Sequence, residues 1–152
     1  MLLLEQLKRA VPAVLLTACA VVGTVQPAGA VSNSVAAGST PVHMSVFNSE
    51  QYGYVDGTLS WDGEGGYTFE GEAQARCRSL TTRLTAWLEY GGAGESWKQS
   101  NEADCRSVPN AAPVKVSGAL SKGEKLELRV STWCSGTVDP YRASRKETYT
   151  IS

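Results

Sequence analysis

Polar and apolar positions alternate strictly from Tyr67 to Arg78. Thr68, Glu70, Glu72, Gln74, Arg76 and Arg78 stand on one phase, and Tyr67, Phe69, Gly71, Ala73, Ala75 and Cys77 on the other. Successive side chains of a strand point to opposite faces, whereas a helix mixes the two sets around its circumference. The stretch therefore predicts a half-buried antiparallel strand with one wet face and one packed face. The same period recurs elsewhere. Val55, Leu59 and Trp61 oppose Asp56, Thr58 and Ser60; Leu84, Ala86, Leu88 and Tyr90 oppose Arg83, Thr85, Trp87 and Glu89. Leu126, Leu128, Val130, Thr132 and Cys134 alternate with Lys125, Glu127, Arg129, Ser131 and Trp133.

Weaker patterns predict an edge strand over Val42 to Phe47, a poor strand within Ser96 to Arg106, a short one at Val114 to Gly118 and a last one over Arg145 to Ser152. Between them lie turn-rich segments, among them the glycine-rich Asp62 to Gly66, Gly91 to Gly94 and the loop Ser135 to Pro140. Turn signals recur roughly every 8–12 residues, as in sandwiches and barrels. Beyond residue 30 no long segment carries a helical period. The expectation is an all-β fold, an antiparallel β-sandwich of immunoglobulin-like type with seven or eight strands; an up-and-down barrel is the alternative.

The N-terminus changes what counts as the domain. Lys8 and Arg9 precede an apolar run from Val11 to Val25, and Ala28-Gly29-Ala30 supplies a small-x-small site. This reads as a cleaved signal peptide over residues 1–30, too short for a membrane span of about 20 apolar residues. Residues 31–41 (VSNSVAAGSTP) read as a flexible leader, and residues 42–152 as one domain. Leu16-Thr17-Ala18-Cys19 also resembles a bacterial lipobox, which would make the chain a lipid-anchored envelope protein. Against that, the apolar run continues through Ala20-Val21-Val22. The expected setting is secretion from a bacterium.

Cleavage removes Lys8, Arg9 and Glu5 and leaves 12 basic and 14 acidic side chains, a net charge of −2. With no basic run, nucleic acid is not an expected partner, and a membrane is expected only if Cys19 is lipidated. Three cysteines remain: Cys77, Cys105 and Cys134. In an oxidising compartment at least one disulfide is the default, and an odd thiol is left over. Strands two apart in one sheet are about 9–10 Å apart, too far for a bridge, so the disulfide should cross between sheets. Cys77 with Cys134 is the expected pair, since it joins the two most regular strands.

Candidate chemistry is sparse. The single histidine, His43, sits by the leader on an edge strand, which argues against a Ser-His-Asp or Cys-His arrangement. Glu70 and Glu72 share a strand face at about 6–7 Å, within the carboxylate separation of glycosidases, but alternating charges on a wet face are the ordinary device for solubility. The Asp62 to Gly66 loop lacks the ligand spacing of a calcium loop, and neither metal nor cofactor is expected. Tryptophan is more informative. Trp61 and Trp97 lie on the apolar phase and read as core, whereas Trp87 and Trp133 lie on the polar phase. Two large aromatics on one solvent face would offer a platform for sugar rings or a partner's apolar side chains.

Cys77 at a strand end, Trp97 after a glycine loop, Trp133-Cys134-Ser135-Gly136-Thr137 and then Tyr141-Arg142 together resemble uncharacterised small secreted β-sandwich proteins of actinomycetes, over roughly Gly57 to Tyr149. The resemblance implies export, a β-sandwich and a single disulfide; it implies no activity. The functional expectation is a monomeric, secreted, non-enzymatic protein that binds a glycan or a protein through Trp87 and Trp133. A small extracellular inhibitor or bacteriocin-like effector acting through the Ser135 to Arg142 loop is the alternative.

Overall fold

Alternation builds two antiparallel sheets, and their apolar faces close on each other. A computed structural model describes residues 36–48, 51–77, 79–121, 123–136 and 141–151. Residues 1–30, read from the sequence as a signal peptide with Cys19, residues 31–35 of the expected leader and residues 137–140 of the Ser135 to Arg142 loop lie outside the described residues. Among the described residues nine strands follow in chain order: β1 (Gly38–Asn48), β2 (Gln51–Trp61), β3 (Gly66–Cys77), β4 (Arg83–Gly92), β5 (Lys98–Gln99), β6 (Ala103–Asp104), β7 (Ala111–Ala119), β8 (Lys125–Ser135) and β9 (Tyr141–Thr150). The first begins at Gly38, inside the stretch whose composition reads as leader.

The first sheet has the order β1-β2-β3-β7; the second runs β5-β4-β8-β9, with β6 also on the free side of β4. All pairings are antiparallel. β1 packs over β8 and β9, β2 over β4 and β8, and β3 over β4 and β6. Two stacked sheets with separate edges make a sandwich and not a barrel. In this order β2, β3 and β7 stand where strands A, B and E of an immunoglobulin domain stand, and β4, β8 and β9 where C, F and G stand.

Met44, Val55, Leu59 and Phe69 of the first sheet meet Leu84, Leu88, Leu126, Leu128 and Val130 of the second, all essentially without exposure. This apolar interior is the main stabilising term. Gly57 and Gly71 face each other across β2 and β3. A Cβ on Gly57 would meet the Phe69 ring at 2.5 Å, and one on Gly71 would meet the Asp56 carbonyl oxygen at 2.0 Å. The glycine pair thus lets Phe69 lie flat across the sheet. The outer strands protect their edges: Pro41 and Pro113 interrupt β1 and β7, and β9 carries Arg142, Arg145 and Lys146.

The disulfide differs from expectation. Cys77 is bridged to Cys105, with Cα atoms 5.4 Å apart, and not to Cys134. The reason is the short β6. It hangs on β4 through Thr85–Asp104 and Ala86–Ala103, and Cys105 N–H donates to the Leu84 carbonyl at 3.0 Å. β3 packs over β4 and β6, so Cys105 comes directly under the end of β3. Cys134 sits on β8, on the far side of β4, fully buried opposite Leu84 and Tyr141. The bridge does cross between sheets, from β3 to the segment after β6. It is compatible with an exported protein.

Candidate functional site

The outward side of the second sheet carries the two tryptophans singled out by the sequence. Thr85 pairs with Trp133 and Trp87 with Ser131, and residues directly opposite share a face, so both rings lie on one side. They do not form a platform. Trp133 is 42% exposed, but Trp87 is only 7% exposed. The Arg142 guanidinium covers the Trp87 ring, 5.4 Å from its centroid. Trp97 is also displaced from its expected place in the core. It stacks on Arg129 at 4.1 Å on this same outward side, a cation–π arrangement.

What seals the face is Glu89, a buried carboxylate. It accepts from Arg129 Nε at 2.5 Å, from Ser131 Oγ at 2.6 Å, and from Arg142 Nη2. Burial alone would raise its pKa. The Ser131 hydroxyl, Arg129, the nearby Trp87 indole and Arg142 together outweigh burial and hold the carboxyl below its ordinary value of 4.5. Trp87 Nε1 contributes from beyond full hydrogen-bond geometry, since it makes no hydrogen bond of its own. Sequence alternation places Trp87 and Glu89 outward correctly. It carries no sign that two arginines from β8 and β9 fold over them.

A second aromatic group, not singled out by the sequence, lies on the outward side of the first sheet. Phe47 and Tyr52 are direct cross-strand partners, and their ring centroids lie 6.2 Å apart. Tyr52 and Tyr54 follow at 5.1 Å, and Tyr54 and His43 at 6.2 Å. Four rings therefore run side by side over β1 and β2. Polar groups flank them. Tyr54 Oη donates to Gln74 Oε1, Gln74 Nε2 donates to Glu72 Oε1, and His43 Nδ1 pairs with Asp56 Oδ1. Arg76 lies 5.7 Å from the Tyr54 centroid. Tyr54 is nearly buried by these neighbours, whereas Phe47 is 62% exposed. A signal was available in the sequence: His43, Ser45 and Phe47 share a phase, as do Tyr52, Tyr54 and Asp56, on the two sides of one turn.

The remaining candidates resolve into local structure. Glu70 pairs with Lys115, and Glu72 is engaged by Gln74. Asp62 Oδ1 accepts from the backbone of Glu64 at 2.8 Å and Gly66 at 2.9 Å, closing the loop in which Gly63 and Gly65 take positive φ. No protein-family model, curated protein or solved structure matches this chain.

Proposed function

We propose that the chain is a secreted, non-enzymatic binding protein that holds a glycan on the outward side of its first sheet. The observation carrying this reading is the row of Phe47, Tyr52 and His43, set around the nearly buried Tyr54 and bordered by Asp56, Glu72, Gln74 and Arg76. A sugar ring has an apolar C–H face and a rim of hydroxyls. Aromatic rings receive the first, and carboxylate, amide and guanidinium groups exchange hydrogen bonds with the second. Side chains already hydrogen-bonded to one another are held in place before the ligand arrives, which lowers the ordering cost of binding. With Trp87 covered, this face takes the role that the sequence assigns to Trp87 and Trp133.

Affinity electrophoresis of the exported protein through gels containing soluble polysaccharides tests the reading. One or more glycans should retard the wild type, and Tyr52→Ala should weaken retardation by about tenfold, the loss of one stacking ring. Absence of retardation by every glycan, or equal retardation of Tyr52→Ala, rejects it.

A further inference from the structure

Among the described residues, four large apolar side chains are exposed: Phe47, Leu80, Val108 and Trp133. All four gather at one end of the sandwich. β1, β3 and β8 finish at the end where β2, β4, β7 and β9 begin. Phe47 is the penultimate residue of β1, Leu80 lies between β3 and β4, Val108 lies between β6 and β7, and Trp133 stands two residues before the end of β8. Leu80 and Val108 are 98% and 99% exposed, so the side chain of each stands in solvent. Folding gains nothing from holding them there.

Both tips are nevertheless held firmly. The Cys77–Cys105 bridge joins the roots of their loops. Arg106 Nη2 donates to the carbonyls of Leu80 at 2.8 Å and Thr82 at 3.1 Å. Asn110 Nδ2 donates to the Ala75 carbonyl at 3.0 Å. Charge is separated along the same axis. Among the described residues the bridged end carries Arg76, Arg83, Arg106 and Arg142 against one acid, Asp104, an excess of positive charge. Among the described residues the opposite end carries Asp62, Glu64, Glu95, Glu124 and Glu127 against Lys98 and Lys125, an excess of negative charge.

We infer that the disulfide-bridged end is a membrane-docking end, which seats Leu80 and Val108 among the headgroups of an anionic lipid surface with its arginines at the phosphates. Single side chains that protrude at separate points suit a layer that deforms around them; a protein partner would need a matching pocket for each. Aliphatic and aromatic side chains at the headgroup–acyl boundary, with arginines reaching to phosphate, are a stable interfacial arrangement. The charge separation turns this end toward a negative surface before contact. A balanced net charge conceals that separation in the sequence, where membrane contact is expected only through a lipidated Cys19. The inference does not rest on glycan binding.

Co-sedimentation of the exported protein with phosphatidylcholine vesicles, with and without phosphatidylglycerol, is the test. The wild type should pellet with phosphatidylglycerol-containing vesicles, and the emission of exposed Trp133 should shift to the blue. Leu80→Ser/Val108→Ser, which touches only exposed positions, should lose at least about tenfold in partitioning. Tyr52→Ala should partition as the wild type does. A wild type that stays in the supernatant overturns the inference, as does unchanged partitioning of the double variant. Binding to protoplasts that is lost on protease treatment, without binding to vesicles, also overturns it and assigns the end to a protein partner.

Discussion

Glu89 is a carboxylate on the outward side of a sheet, yet it is only 6% exposed. Its stability follows from company and not from position. Its folded pKa is held below the ordinary value, so its contribution is complete above that value and is lost as pH falls through the folded pKa. Glu89→Gln should therefore cost about 2 kcal/mol at neutral pH, because Arg129 and Arg142 lose their shared acceptor. It should also flatten the acid limb: urea titrations between about pH 5 and pH 3 should show the wild type losing more stability than the variant. Equal slopes would mean that Glu89 does not carry this share of the acid sensitivity. At this scale the sequence was half legible. Period 2 fixes the face to which Trp87 points. Whether that face is open depends on Arg142, 55 positions along the chain and two strands away.

Whole elements were more legible than their partners. β3, β4 and β8 follow from strict alternation, because each buries one face against the opposite sheet and a slip of one residue would invert every side chain. β5 and β6 were not legible in the same way. Each has two residues, and between Ala93 and Asn110 turns and bends hold half of the chain. The error over the disulfide begins there. A Cys77–Cys134 bridge follows from regular strands alone, whereas the Cys77–Cys105 bridge needs the knowledge that β6 sits on the open side of β4. Cys105→Ser should accordingly destabilise the domain by about 3.5 kcal/mol in the chain-entropy treatment of the loop that the bridge closes, whose cysteines are 28 positions apart. Cys134→Ala should retain the bridge, and a Cys77–Cys105 peptide should persist on non-reducing peptide mapping. A Cys77–Cys134 peptide from the wild type would contradict the topology.

Across the whole molecule, three surfaces separate. The second sheet closes its outward side with the Glu89 network, the first sheet offers the aromatic row, and the bridged end bears the apolar tips. The sandwich class follows from strand number and turn spacing. The location of the proposed glycan face does not, since it arises where β1 and β2 bring Phe47 beside Tyr52 and where the pairing of β2 with β3 adds Gln74 and Arg76. One feature of the strand directions has a practical result. β1 enters and β9 leaves at the acidic end, opposite the disulfide. A tag or bead fused before Ala36 or after the buried Ile151 therefore grips the molecule by that end, and an array made this way displays every copy with Leu80 and Val108 outward. Sensor surfaces prepared from either terminus should capture anionic vesicles with equal capacity, whereas random coupling through lysines should capture fewer per immobilised molecule.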